Sequence, residues 1–380
     1  MDERATRPAD LRLGMACLWG PSPRATWSGT PWRLRAAMQA RVQIVDVGPR
    51  LSRPAREGLR LAGLRRSGSG WRSQWRHSRA AVALLERDLR REVRRSSPDV
   101  VLEIGDLAAV DVPVLVLQDL SYALLLERYG PDGVPHFRTL GRRRIDELRR
   151  RQQDIYERAA GLLPMSRWLA SSLIRSGVHA ERVHVINPGV NLDLTGTGLI
   201  PERRTGPTRR LLMVGRDFDT KGGAQVLGAF TLLRRELGPK IELTIAGPRT
   251  WPGRGEVPGG VTFLGGVPGP EIQALMDNHD LFVMPSRFEG FGIAFVEALV
   301  RGLPCIGRDD CAMPEIIDPV SGGRLVRSED PAELAALIED ALGDDHLYRE
   351  CARRAPELLA HYSWDRAARD VVAVAEGVRR

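Results

Sequence analysis

The chain has 380 residues, 43% hydrophobic and 27% charged, with a formal net charge of +8. That length is more than one core usually organises, so two domains are expected, and the absence of any run of eighteen apolar residues excludes a transmembrane helix. The positive charge suits anionic partners such as nucleotides, lipid phosphates or nucleic acid, and it is almost wholly arginine, Lys221 and Lys240 being the only lysines among 56 basic residues.

In chain order, Leu11 to Leu18 reads as a first strand. The turn Trp27-Ser28-Gly29-Thr30 then opens a helix, with Thr30 as N-cap and Pro31 at the first helical position. Val42 to Val47 is a second strand, and the arginine-rich stretch that follows reads as helical to about Arg95. Within it Trp71 and Trp75, four apart, would share one helical face and pack in the core or an interface, or else stack on a ligand. Strands at Asp99–Gly105 and Val112–Asp119 alternate with helical stretches. A helix over 141–158 carries the basic cluster Arg149–Arg151, which reads as a solvated face or, more sharply, as a patch for anionic lipid. Leu162–Ser166 and Val183–Gly189 read as two more strands, separated by a helix ending near Gly177.

Residues 191–207 are polar and aperiodic and read as a linker. The pattern restarts with a strand at Leu211–Gly215, a helix at Gly223–Leu237, strands at Ile241–Gly247 and VTFLG, and a helix around Glu271–Asn278. An apolar run from Leu281 reads as a buried strand ending at Pro285. A glycine turn follows, then a helix from about Ile293 to Arg301 that Gly302 and Pro304 stop. Helices at Glu333–Ala341 and His346–Ala360 come next, and an amphipathic one from Trp364 ends the chain. Helices alternating with short β-branched runs, twice over, define the fold class as α/β with two doubly wound Rossmann-like domains, 1–195 and 208–361. The four cysteines, Cys17, Cys305, Cys311 and Cys351, lack metal-ligand spacing and read as reduced structural thiols. No signal-type apolar region opens the chain, so the expected location is cytoplasmic, with peripheral placement at the inner face of the membrane if the arginine patch meets lipid.

The candidate chemistry sits at the carboxyl ends of strands, where ligands bind in such sheets. In GRDFDTKGG, Gly215 to Gly223, the cations Arg216 and Lys221 are placed to converge on one diphosphate, and Gly222 and Gly223 let the backbone approach. Asp217 and Asp219 form an Asp-x-Asp pattern of the metal-holding kind, but with two cations beside them a metal is redundant, so none is expected. In the stretch from Ser286 to Gly307 a glycine turn leads into a helix whose first N–H groups lack intrahelical partners, a ready anion site. Glu289 and Glu297 flank it. Carboxylates there are better suited to hydroxyl groups than to phosphate, and together the features describe a sugar nucleotide.

GRDFDTKGG, SRFEGFGIAFVEAL and MPEII from Met313, in that order, resemble the retaining glycosyltransferases of family four, which have the GT-B fold; Glu-x7-Glu between Glu289 and Glu297 is that family's signature. The match is strong over the second domain. In the first, WSGTP around Gly29, PMSRWLASSL around Ser166 and VINPGV around Asn187 are similar to the family's positions, and WSGTP resembles one branch. The resemblance implies two domains facing each other across a cleft, with a terminal helix, 362–380, crossing back to the first. It implies that Arg216 and Lys221 hold the donor diphosphate and stabilise charge on the leaving group. Phe291 and Gly292 would add backbone N–H groups, and Gly215 and Gly290 belong to the same donor loops. Glu289 would bind hydroxyls of the transferred sugar, Glu297 those of the ribose, and Gly29 would approach the diphosphate from the first domain. Many family members carry a histidine where this chain has Gln118-Asp119. Asp119 or Gln118 would replace it, and a carboxylate capping the following loop explains Asp119 equally well.

The implied reaction is metal-independent, needs no cofactor, and uses a nucleoside-diphosphate sugar and an unidentified acceptor: a cell-envelope glycan, a lipid or a metabolite. A sugar-nucleotide hydrolase or epimerase on the same fold is the alternative among enzymes, distinguished by whether turnover needs an acceptor. A nucleic-acid-binding module has only charge in its favour. A catalytically silent nucleotide-binding scaffold is opposed by the intact set Arg216, Lys221, Glu289 and Glu297.

Overall fold

The computed structural model describes residues 9–67, 70–128, 137, 140–191, 209–253, 255–317 and 322–379. The chain divides into two compact units, Met1–Gly189 with Trp364–Arg380, and Val190–Ser363. Apart from Asn191, the linker read at 191–207 lies outside the described residues.

The first unit contains β1 (Ala9–Ala16), α1 (Thr30–Gln39), β2 (Val42–Asp46), α2 (Arg53–Ala62), β3 (Leu64–Ser67), β4 (Gly70–Ser73) and α3 (Arg79–Ser96). These are followed by β5 (Val100–Ile104), β6 (Val114–Gln118), α4 (Tyr122–Glu127), α5 (Arg142–Arg158), β7 (Gly161–Pro164) and α6 (Arg167–Arg175). Its main sheet is parallel, in the order β2-β1-β5-β6-β7. Every residue of β5, β6 and β7 is buried, as expected for strands covered on both faces. Serine side chains cap four helices: Ser52, Ser78, Ser121 and Ser166 accept the N–H of the residue three further on, at 3.4, 3.2, 3.3 and 3.1 Å.

The second unit contains β8 (Arg209–Val214), α7 (Gly223–Leu237), β9 (Ile241–Ala246), β10 (Val261–Gly265), α8 (Gly269–Asp277) and β11 (Leu281–Val283). It continues with α9 (Ile293–Leu299), β12 (Cys305–Arg308), α10 (Met313–Ile316), β13 (Gly323–Val326), α11 (Pro331–Gly343) and α12 (Asp345–His361). The six strands are parallel in the order β10-β9-β8-β11-β12-β13. Phe230, Leu243 and Ile338 lie in the core on one side of this sheet, with Phe282 and Phe295 in edge-to-face contact at 5.5 Å. The last helix, α13 (Trp364–Val378), belongs to the first unit, where it packs against α1 and buries Ala367, Ala368, Val371, Val372 and Ala375. The two doubly wound Rossmann-like domains expected from the sequence are therefore present.

Several local readings change. The arginine-rich stretch before Arg95 is not one helical region, because the antiparallel hairpin of β3 and β4 interrupts it. Trp71 lies on β4 and is 70% exposed, whereas Trp75 starts a short 3-10 turn and is 8% exposed, so the pair shares no helical face. Residues 183–189 form no named strand; Val183 makes one isolated parallel bridge to Leu162. Gly29, at φ +92, is the N-cap of α1 in place of Thr30. All four cysteines are buried thiols.

Candidate functional site

In a parallel sheet the chain order reverses at one point, and the loops leaving the two strands there splay apart to form a crevice. In the second unit that point lies between β8 and β11. The loop after β8 holds Arg216 and Lys221; the loop after β11 holds Ser286 to Gly292. Three contacts tie them together. Arg287 N–H donates to the Thr220 carbonyl at 2.8 Å. Gly222, at φ +75, sits so close to Pro285 that a Cβ would come within 2.4 Å of its carbonyl oxygen. The Lys221 ammonium pairs with Oε1 of Glu289, which also accepts from Ser286 Oγ at 3.1 Å. The Glu289 side chain is 10% exposed and that of Lys221 23%. Two residues 68 apart in sequence are thus in direct contact at the crevice floor.

Around this pair the other sequence candidates take distinct places. Arg216 is exposed and makes no ion pair among the described residues. Asp217 caps its own loop, its carboxylate accepting Thr220 N–H at 3.1 Å, which commits one carboxylate of the Asp-x-Asp pattern to backbone. Gly223 N–H reaches the Phe218 carbonyl at 2.9 Å, and a Cβ there would meet the Phe218 ring at 2.2 Å. Gly215 lies against Lys221, whose Cγ would be 2.6 Å from an added Cβ. Gly292, at φ +96, is the N-cap of α9. Phe291 is buried with its ring 6.1 Å from that of Tyr362, while Gly290 is half-buried beside Glu289. Glu297 is half-buried on α9. Gly29 and Asp119 belong to the first unit.

The sequence reading missed Arg308, at the end of β12. It is 8% exposed and donates to the Ser328 carbonyl at 3.0 Å, to Gln225 Oε1 at 2.9 Å and to the Pro285 carbonyl at 3.1 Å. Burial lowers its pKa from the ordinary arginine value. Gln225, near the start of α7, donates in turn to the carbonyls of Ser328 and Asp330 at 3.0 and 3.2 Å. One guanidinium therefore fixes the turn that carries Ser286 and Glu289. Nothing in an arginine-rich sequence singles it out.

In the first unit the order reverses between β1 and β5. Beyond those strand ends lies a cavity of about 300 Å³ whose walls include Leu18, Trp27, Gly105, Asp106 and Tyr122. Glu103, fully buried on β5, holds the loop that forms one wall: its carboxylate accepts Leu107 N–H at 2.8 Å and Ala108 N–H at 3.2 Å. Desolvation pushes its pKa up to about 8, against the lowering effect of those two donors. A carboxyl raised from 4.5 to about 8 on folding holds its proton more tightly in the native state. Its contribution is complete below about pH 4.5 and is lost as pH rises to about 8, a span worth on the order of 5 kcal/mol. Melting temperature should therefore fall between pH 5 and 8.5, and Glu103→Gln should flatten that fall. An unchanged slope in the variant would show that Glu103 does not carry it.

Gln118, the other residue weighed beside Asp119, is buried. Its amide donates to the Tyr156 hydroxyl, and its Oε1 has no partner among the described residues. Asp119 is half-buried just beyond β6. The basic run of α5 is paired: Arg149 and Arg150 bond Asp146 on the same helix, and Arg151 bonds Glu86 on α3 and Asp106 beyond β5. Those pairs favour the solvated-face reading. Among the described residues no helix is long and apolar enough to cross a membrane.

Residues 201–358 match the family Glycosyl transferases group 1, so the second unit carries a glycosyltransferase group 1 domain, and the two-unit architecture is of the GT-B type. The chain is 29% identical over 226 residues to D-inositol 3-phosphate glycosyltransferase of Jonesia denitrificans, an alignment covering 52% of each. It thus spans about half the length of that curated relative. Among solved structures, sucrose-phosphate synthase from Thermosynechococcus elongatus superposes with a TM-score of 0.70 at 14% identity, over 97% of this chain and 99% of that one. HepE from Anabaena, solved in complex with UDP and glucose, gives 0.61 at 13% identity over 96% and 99%. These likenesses show the fold.

Proposed function

We propose that the chain is a transferase of the WSGTP-containing branch of retaining glycosyltransferase family four. It moves a sugar from a nucleoside-diphosphate sugar to an acceptor hydroxyl without a metal. The observation that carries this reading is the Lys221–Glu289 pair at the second unit's switch point. A cation and a carboxylate paired at one point can separate onto a ligand bearing both phosphate and hydroxyls. Lys221 then faces the diphosphate together with the exposed Arg216, and Glu289 accepts from the sugar hydroxyls. Glu297 takes the ribose hydroxyls, and the backbone N–H groups of Phe291 and Gly292 add positive potential. The UDP and glucose held by HepE support a donor of this class.

The chemical demand on protein groups is small. Charge grows on the departing diphosphate, which two cations stabilise as they would in any water-poor site. The leaving phosphate oxygen takes the acceptor proton on the face of departure, and the anomeric configuration is retained.

A ligand that binds only the folded state raises its stability, by about 2.7 kcal/mol at a hundred times Kd. One nucleoside diphosphate should therefore raise the melting temperature by roughly 5–10 °C, for a unit of this size. The shift should survive a chelator. A shift that vanishes with the chelator would overturn metal independence, and no shift with any nucleoside diphosphate would sink the donor site. Fast turnover without an acceptor would favour the hydrolase.

A further inference from the structure

The connection from β2 to β5 holds more chain than a crossover requires. Its covering helix is α3, which buries Ala81, Leu85, Leu89 and Val93. The preceding α2 and β3–β4 hairpin play no such part. None of the ten residues of α2 is buried, although a helix on a soluble domain ordinarily lays an apolar stripe on a core. Leu61, in the last turn of α2, is 69% exposed and Trp71, on β4, 70%. Among the described residues the next most exposed large hydrophobic side chain, Ile174, reaches only 44%.

The fold brings these two side chains to one place. The Ser73 hydroxyl donates to the Arg60 carbonyl at 2.7 Å, and Gln74 N–H reaches the Gly63 carbonyl at 3.3 Å, so the hairpin is tied to the last turn of α2. Trp71 lies two residues before Ser73 and therefore on the same face of the ribbon, about 7 Å along the strand. The charge around them is one-sided. Residues 50–76 hold eight arginines and a single carboxylate, Glu57. That carboxylate is already engaged, by Arg60 at 3.2 Å and Arg56 at 3.8 Å. Exposed Arg53 makes no ion pair among the described residues, and exposed Arg65 donates to the carbonyls of Ala62 and Leu64 at 3.2 and 2.8 Å. The arginines of α5, by contrast, have carboxylates beside them.

A leucine and an indole held out among cations gain nothing from water. A bilayer interface suits all three groups. The indole sits at headgroup level, the leucine reaches the acyl boundary, and the guanidinium groups meet lipid phosphates. Nucleic acid would use the arginines but offers an exposed leucine no apolar phase to enter. We infer that α2 and the β3–β4 hairpin form a docking surface for an anionic lipid bilayer, with Leu61 and Trp71 at the interface. The surface lies wholly within the first unit, and the assignment does not depend on the transferase reading.

Flotation of the full chain with vesicles of phosphatidylglycerol mixed into phosphatidylcholine, against phosphatidylcholine alone, tests this. Binding to the mixed vesicles should be at least about tenfold tighter and should weaken as added salt screens the arginines. Leu61→Ser with Trp71→Ser should lower it by at least about tenfold, the apolar contact being lost. Arg53→Gln with Arg65→Gln should lower it by about 25-fold, roughly fivefold for each guanidinium near the charged surface. All four side chains are exposed, so melting temperatures should stay near that of the wild type. Arg149→Gln with Arg150→Gln on α5 removes the same charge elsewhere and should leave binding within about threefold. Equal binding to the two vesicle types, a loss from the α5 variant as large as from the Arg53 and Arg65 variant, or no loss in Leu61→Ser with Trp71→Ser would each overturn the assignment. So would failure to bind the mixed vesicles at all. In that case, duplex oligonucleotide binding that Arg53→Gln with Arg65→Gln abolishes would give the surface to nucleic acid. A dimer that Leu61→Ser with Trp71→Ser converts to monomer would instead give it to a second copy of the chain.

Discussion

Lys221→Met should lower transfer by about 10²- to 10³-fold, the loss expected when one preorganised donor to the leaving group's charge is removed. It should also destabilise the protein, because the Glu289 carboxylate, 10% exposed, is left with Ser286 Oγ at 3.1 Å as its remaining partner among the described residues. Breaking a deeply buried pair costs about 3–5 kcal/mol; partial exposure here reduces that to roughly 1–2. The contact with Glu289 makes this substitution costly to the fold as well as to the reaction. The double variant Lys221→Met with Glu289→Gln removes both charges and should regain most of the stability while remaining inactive. Stability and activity are thereby separated. Lys221→Met activity within tenfold of wild type would remove Lys221 from the diphosphate; a double variant as unstable as the single would show that the two groups do not compensate each other.

Arg308→Ala should be the most destabilising of the substitutions considered, by about 3 kcal/mol or more. It removes bonds to Ser328, Gln225 and Pro285, and it strands Gln225 Oε1 and the Pro285 carbonyl in a buried site. Arg308→Lys should rescue little, since an ammonium on a shorter reach cannot fork to three acceptors on three segments. Because the Pro285 turn positions Glu289, the lysine variant should also weaken nucleoside-diphosphate-sugar binding more than binding of the bare diphosphate. Chemical denaturation and titration with both ligands check this. A lysine variant with wild-type stability would show that the fork is not needed.

The parts legible in the sequence are those that glycine and proline punctuate. Gly292 and Gly302, with Pro304 beyond, bracket α9, and Gly222 and Gly223 open α7, because left-handed φ and close approach leave few alternatives to glycine. Lys221 and Glu289 each stood out within their own loops, but their contact did not, since pairing across 68 residues is a product of sheet order. Arg308 carries no local signal: only the surrounding carbonyls distinguish it from other arginines. Strands β12 and β13 are four residues each, too short for alternation to declare itself. In the first unit the tryptophan spacing at 71 and 75 suggested a helix face where a hairpin intervenes, and the hairpin's own polar, arginine-bearing strands give no apolar rhythm.

The place of α13 bears on the order in which the protein is completed during synthesis. The helix packs on α1, near the other end of the chain, where Leu34 and Met38 are buried and Arg41 bonds Asp365. Translation reaches it only after the 174 residues of the second unit have been made. At about 5–20 residues per second that is a delay of roughly 9–35 s. The second unit can therefore close first, while the earlier-made sheet waits on the ribosome with one helix uncovered. A stop codon just before Trp364 would injure the half of the molecule that is translated first.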